Sequence, residues 1–425
     1  MQPTRIAPIL AILIAAFAGA ATAQPSYNVK SYGARGDGSD ATTAIRNAIA
    51  AAAAASGGEI MFPAGNYGVS GTIAITSPAI TLVGEGPEAS MITSSATTGD
   101  VVSFGASTWF HPCGGIRGLS IKSSVTRTSG AALTIDGCQE GEFQHFLLST
   151  NGGDGIDISP TGRQAGVQHF SDFRINITGA FNGILVQGGG NDRYFRSGFM
   201  GGNLTAGSRG INIQSSAGDW YTDIDVLQFE VGILIDPAAG QGVTWGHMVN
   251  VLADSNTLQG YRITSSGNGY VWGMTFTAPW AGANGVYSTN GRGIYIGTGV
   301  DLLIENPRVL NSGGHGIEIA GGSGVKITGG VISASSQLSS GSYDAINVNS
   351  GASGFQVIGT TTGGLGSVLQ RYGINIGAGS DNFIVQGNDF TGANTAVQVT
   401  PGASATRRFI GNLPYNSALE KASSP

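Results

Sequence analysis

Charge is scarce in this chain. Asp, Glu, Lys and Arg together make up 11 % of its 425 residues, under half of the usual ~25 %. The balance of 20 basic against 26 acidic side chains gives a formal net charge of −6, without the basic footprint of a nucleic-acid or anionic-membrane binder. Cysteine is scarcer still: Cys113 and Cys138 are the only two. That excludes a disulfide-framework domain and a zinc site made of thiols alone. After residue 21 no apolar run approaches the ~20 residues needed to span a bilayer. Glycine, by contrast, is in excess, at 71 residues or about 17 % against a usual ~7 %. The glycines follow no every-third-residue rule, which excludes collagen. With 41 % hydrophobic residues the chain is able to bury a core. Many short strands joined by tight glycine turns fit this composition.

Residues 1–23 read as a secretory signal peptide. Arg5 supplies the positive end, Ile9 to Ala21 is apolar, and Ala21-Thr22-Ala23 fits the small-residue cleavage rule. The expectation is a secreted or periplasmic protein starting at Gln24, with no membrane insertion after cleavage.

A short phrase, Gly-Ile-x-Ile, keeps returning. It stands at Gly155, Gly183, Gly210, Gly232, Gly260, Gly293, Gly316 and Gly373, with Ala-first variants at Ala132, Ala345 and Ala396. Between phrases lies a second alternating run, such as Phe170-x-x-Phe173-x-Ile175. Two or three short strands per ~26 residues describe one coil of a parallel β-helix; propeller blades need ~40–50 residues. Ahead of the coils, Asp40 is a natural N-cap for a helix from Thr42 to Ala55. Ala44, Ile45, Ala48, Ile49 and Ala52 share one face of it, and Gly57-Gly58 stop it. It reads as a lid on the open end of the cylinder. The expected organisation is signal peptide 1–23, cap and first coil 24–70, β-helix 71–412 and tail 413–425.

The opening Tyr27-Asn-Val-Lys-x-Tyr-Gly33-Ala-x-Gly36-Asp37-Gly38, continued by Gly57-Gly58-x-Ile-x-Phe-Pro63-x-Gly65-x-Tyr67, resembles the rhamnogalacturonase/epimerase-like pectate lyase domain family. The resemblance implies an all-β, single-stranded right-handed parallel β-helix of about a dozen coils with an N-terminal capping α-helix. It also implies action on, or binding to, a polysaccharide, because the family holds hydrolases, lyases, uronan epimerases and phage tailspikes. It is specific for fold and poor for reaction.

In such a coil, outward side chains stack at roughly 4.8 Å from one strand to the next, so a site is a column read across repeats. Inward residues align Phe143-Gln-His-Phe146-Leu-Leu148 with Phe170-Ser-Asp-Phe173-Arg-Ile175, and Tyr221-Thr-Asp-Ile224-Asp-Val226 with Trp245-Gly-His-Met248-Val-Asn250. The coil at Tyr194 to Gly202 takes no register. One outward column then reads His145, Asp172, Asp223, His247, and its neighbour reads Leu147, Arg174, Asp225, Val249. Asp172, Asp223, Asp225 and His247 are the catalytic candidates. Arg174, Trp220, Tyr221, Trp245 and Trp272 are the substrate-binding ones, the aromatics as faces for sugar rings. Asp172 and Asp223, two coils apart, would stand roughly 9–10 Å from each other, near the upper limit for an inverting glycosidase pair. Asp223 and Asp225 share a face and suit proton sharing or calcium. The plainer alternative is a stripe of polar residues that only solvates one face.

Other motifs are weaker. Gly314-His315-Gly316 is similar to the Gly-His-Gly of polygalacturonases, but Gly291-Arg292-Gly293 stands where those enzymes carry an Asp-Asp pair, and the motif reads as a turn. Gly152-Gly153-Asp154-Gly155-Ile156-Asp157 matches one calcium nonapeptide, and a single copy also reads as a turn. Asp236-Pro237-Ala-Ala lacks the Asp-Pro-His signature of alginate epimerases. Cys113 and Cys138, 25 residues apart, fall on adjacent coils and can form a disulfide or remain two stacked thiols. The expected function is cleavage of a polysaccharide by an exported hydrolase or lyase. The alternative is a non-catalytic polysaccharide-binding or matrix protein. No cofactor is certain, with calcium open, and the partner is a polysaccharide.

Overall fold

The computed structural model describes residues 24–106, 108–288, 290–363, 370–400 and 406–414; the expected signal peptide, 1–23, and most of the expected tail, 415–425, lie outside them. Thirteen parallel strands form one face of a cylinder, in an order that follows the chain from Ile73–Ile75 to Thr395–Val399. This is the Gly-Ile-x-Ile phrase: Ile156 pairs with Ile184, Ile184 with Ile211, Ile211 with Ile233 and Ile233 with Tyr261. Both Ile positions point inward and are fully buried through most of the stack, while the x position points out. The architecture is a parallel β-helix, as the repeat predicts.

A 22-stranded ladder wraps the other faces. From Gly114 to Asp254 each coil carries it as one long strand that turns a corner, such as Gly141–Asn151 and His169–Thr178. The corner residue leaves the pairing and takes a left-handed conformation. His145 (φ 50), Asp172 (φ 50), Ser197 (φ 53), Asp223 (φ 53) and Asn250 (φ 51) occupy it in successive coils. Asp and Asn tolerate this region better than other non-glycine residues, which explains part of the column. Inside the corner, Phe143, Phe170, Phe195 and Tyr221 stack in parallel with centroids 5.0, 4.6 and 4.8 Å apart.

The N-terminal lid is the helix Thr42–Ala54, with Ala44, Ile45, Ala48, Ile49 and Ala52 buried. Its N-cap residue is Ala41, and Asp40 does the capping from one place earlier. Asp40 Oδ1 accepts from the Thr42 N–H at 2.9 Å and from its hydroxyl at 2.6 Å, bonds that lower the Asp40 pKa. Cys113 and Cys138 form a disulfide between neighbouring coils, with Cα atoms 5.1 Å apart. Deeper in the stack, Arg193 and Asp219 form a fully buried ion pair at 2.9 Å. A small sheet of Ser216–Ala217, Gly242–Thr244 and Tyr270–Trp272 is added on the outside. No helix among the described residues is long and apolar enough to cross a membrane.

Candidate functional site

The structure aligns most of the expected column and corrects its end. Phe143 pairs with Phe170, and Phe195 and Tyr221 continue the row. The irregular coil thereby gains its register and places Ser197 between Asp172 and Asp223. Tyr221, however, pairs with Met248 rather than Trp245. The column therefore ends on Asn250, whose Nδ2–H donates to Asp223 Oδ1 at 2.7 Å. His247 belongs to another column, paired with Trp220. The neighbouring column reads Leu147, Arg174, Phe199, Asp225 and Leu252, with Leu252 where Val249 was expected.

His145, Asp172 and Arg174 meet in an open cleft of about 620 Å³, whose floor includes Ser197 and Phe199 and whose wall is the loop from Glu85 to Ala89. His145 Nδ1 lies 2.5 Å from Asp172 Oδ2, so the carboxylate fixes the ring and leaves Nε2 toward solvent. Asp223 and Asp225 lie outside this cleft. Burial first, and then the charge of Asp254, raise the Asp225 pKa; Asp254 sits on the paired strand. No group of three or more His, Cys, Asp or Glu side chains among the described residues is placed to hold a metal ion.

The aromatic candidates divide. Tyr221 is fully buried in the core stack and is removed from the substrate-binding set: it occupies an inward position of its strand. Trp220 lies against His247, ring centroids 4.1 Å apart and 19° from parallel, so one face of its indole is already covered. Trp245 and Trp272 are exposed by 53 % and 43 % and meet at 5.4 Å with an angle of 47°. Trp272 is steadied by an N–H bond to Asp301 Oδ2 at 3.1 Å.

The outer face of the thirteen-stranded sheet carries what the sequence reading passed over. Gly152 to Asp157 is not simply a turn, since Asp154–Ile158 is a strand of this sheet. The outward x column reads Thr134, Asp157, Leu185, Asn212, Leu234, Arg262, Tyr295 and Glu318. Burial pushes the Asp157 carboxyl up to about 7, opposed by a bond from Gln187 Nε2 at 2.9 Å and reinforced by Asp154, Asp100 and Asp136. Asp154 is also raised, chiefly by burial, although Asn182 donates to it twice, at 2.6 and 2.8 Å. Along the same face, Thr134 Oγ1, Asp136 Oδ1, Asn212 Oδ1, Gln259 Oε1 and Arg262 Nε are buried without a hydrogen-bond partner. Such orphans are rare in native proteins, and each needs a reason. Beside them Asp136 holds Arg163 and accepts from Thr161 at 2.6 Å. Arg163 in turn lines a cavity of about 480 Å³ with Trp109, Gly137 and Gln164.

His315 opens a strand of this sheet, His315–Ile319, and is more than a turn residue. Its Nδ1 accepts from the Asp344 N–H at 3.0 Å, while Asp344 is gripped by Arg371 through two bonds of 2.8 Å. Burial drives the His315 pKa down to about 4 against the pull of Asp344 and Glu318. It is a neutral, structural histidine.

The family model for rhamnogalacturonase A/epimerase, pectate lyase-like proteins matches residues 26–234. Over that span, just under half of the chain, the protein is similar to this family. Mannuronan C5-epimerase AlgE5 of Azotobacter vinelandii is 63 % identical over 46 residues, which are 11 % of this chain and only 5 % of that protein's length. The Dettilon tailspike protein superposes with a TM-score of 0.56 at 14 % identity, over 90 % of this chain and 70 % of that one. Tailspike protein 3 of bacteriophage CBA120 gives 0.55 at 13 % identity, over 92 % and 62 %. These structural likenesses speak for the fold alone.

Proposed function

We propose that this is an exported carbohydrate-active protein that cleaves a polysaccharide laid along the outer face of the thirteen-stranded sheet, with Asp157 as the proton-transfer group. The observation that carries the reading is a carboxyl pushed up to about 7 on a face lined with buried, unpartnered polar atoms. A sugar chain offers a hydroxyl at every unit, which suits such orphans. A carboxyl that is half protonated near neutrality suits delivery of a proton to a leaving glycosidic oxygen. Asp154, on the same strand and contributing to the upward shift of Asp157, is the second carboxyl. Trp109 offers an exposed face beside Arg163. The family-model match and the short match to a mannuronan epimerase support the substrate class. The disulfide supports export, since such bonds persist in oxidising compartments.

The His145–Asp172 contact in the corner cleft favours a second reading, in which His145 takes a proton from a sugar ring while Arg174 holds its carboxylate. One experiment separates the two. The mature protein and its Asp157→Asn and His145→Gln variants are incubated with acidic and neutral polysaccharides, with and without calcium. Reducing ends and the ultraviolet absorbance of an unsaturated product are followed together. Reducing ends without absorbance, lost in Asp157→Asn alone, support hydrolysis on the sheet. Absorbance lost in His145→Gln alone moves the reaction to the cleft. Binding without turnover on every substrate makes this a non-catalytic glycan binder.

A further inference from the structure

The orphaned atoms on the sheet include one guanidinium, and its surroundings differ from those of the other arginines that lie in or near the core. Arg193 is paired with Asp219, Arg163 with Asp136, Arg292 with Glu318 and Arg371 with Asp344. Arg127 has no carboxylate but donates to the carbonyls of Ala96, Gly99 and Ser129. Arg262 has no ion pair or hydrogen bond among the described residues, and its Nε is buried. An arginine cannot shed its charge, and a partly buried charge without a partner is costly. Nothing in the fold uses it: its column neighbours are Leu234 and Tyr295, neither of which carries a charge to balance it.

Its environment is otherwise built. Gln259, on the same strand, is 6 % exposed, and its Oε1 has no partner. Asn212, two coils nearer Asp157, is 4 % exposed and its Oδ1 is equally alone. Between Asp157 and Arg262 the column reads Leu185, Asn212, Leu234. That is apolar, polar, apolar, three side chains that each keep only a narrow exposed edge, 8, 4 and 6 % of their area. Four rungs at roughly 4.8 Å put Arg262 about 19 Å from Asp157.

We infer that Arg262 is an anion-recognition subsite of the glycan groove, taking a carboxylate or ester sulfate carried by a sugar several units away from the bond at Asp157. The planar fork of the guanidinium binds either group through two N–H donors, and Gln259 is placed to take a hydroxyl of the same sugar. The inference rests on the reading that the glycan lies along this sheet, and it adds that the substrate is anionic at a defined distance from the cleaved bond.

The test uses binding rather than turnover, with the Asp157→Asn protein as the parent. Calorimetric titrations are run with a uronic-acid oligosaccharide, an ester-sulfated oligosaccharide and a neutral oligosaccharide of equal length. Arg262→Gln is expected to weaken the charged ligand about 10-fold or more, the scale of a lost charge-assisted hydrogen bond. It should also flatten the salt dependence of binding and leave the neutral ligand unchanged. Arg262→Lys, which keeps the charge without the fork, should restore part of the loss. Whichever of the uronate and the sulfate responds names the anion. Leu185→Trp, which fills the groove between the two sites, provides the control. Charged-ligand binding lost in Leu185→Trp but untouched in Arg262→Gln overturns the Arg262 subsite and keeps the groove. Binding untouched by both variants, or no binding of any ligand, overturns the groove reading and the subsite with it.

Discussion

Gln187 donates its side-chain N–H to Asp157 Oδ1 across 2.9 Å, from the coil that follows. This bond favours the carboxylate and works against the burial that raises its pKa. Removing it in Gln187→Leu is therefore expected to lift the Asp157 pKa further above about 7. The measurable consequence is an upward shift of the basic limb of the pH–rate profile. A basic limb that stays in place in this variant would show that Asp157 is not the group being read.

Asp157 also links stability to pH. Its native pKa is raised from 3.8 to about 7, so between those values the folded chain holds a proton that the unfolded chain has lost. Its contribution is fully present below pH 3.8, falls as pH rises, and is gone above about 7. Asp157→Asn removes this loss. Denaturant melts of wild type and variant should draw apart in the variant's favour from pH 4 to pH 7 and then run parallel. Parallel curves over the whole range would contradict the assigned shift.

His315 has the opposite sign. Its pKa is lowered from 6.5 to about 4, so the unfolded chain takes up the proton first. Its contribution is present above pH 6.5 and is lost as pH falls through about 4. His315→Gln keeps an acceptor for the Asp344 N–H without titrating. The acid side of the stability curve should become shallower in this variant, by equilibrium unfolding at constant ionic strength. An equally steep curve would move the acid sensitivity elsewhere.

Phe195 is stacked between Phe170 and Tyr221. Phe195→Ala is expected to cost about 3–5 kcal/mol. Each coil contacts only its neighbours, so the loss should be local. Hydrogen exchange should show protection lost in the coils from Phe143 to Met248 and kept in those around Ile346 and Ile374. Uniform loss over the whole cylinder would indicate a single cooperative unit.

The coil, its period and the lid were legible because each repeats or stands alone in the sequence. Ile at alternate positions after a glycine gives the inward row directly, and Phe143 and Phe170 sit in strands whose inward residues match one for one. Register failed at Trp245 because a large aromatic there imitates the inward Tyr221. In the structure Trp245 follows the added strand Gly242–Thr244 and has a left-handed backbone. The true partner Met248 lies three residues further on. Tyr221 stands in the inward row of the alignment and is yet counted with the sugar-facing aromatics; only its inward place holds, in the buried stack against Phe195. Asp157 and Arg262 were visible in principle. Both stand at the x of Gly-Ile-x-Ile or its Gly-Tyr-x-Ile variant, and reading that position down the repeats finds Thr134, Asp157, Asn212, Arg262, Glu318 and Asn347 among apolar and aromatic residues such as Leu185, Leu234 and Tyr295. What no pattern in the sequence reveals is which of these polar atoms lack a partner, because that depends on the rotamers of neighbouring coils.

The in-register ladder makes the distance between Asp157 and Arg262 a whole number of rungs. Duplicating or deleting one complete coil between them would leave both local surroundings intact and change only their separation, by one rung. On the proposed reading the sheet is a ruler with a fixed graduation, and gain or loss of repeats is a route by which descendants of one gene could come to measure glycans of different charge spacing.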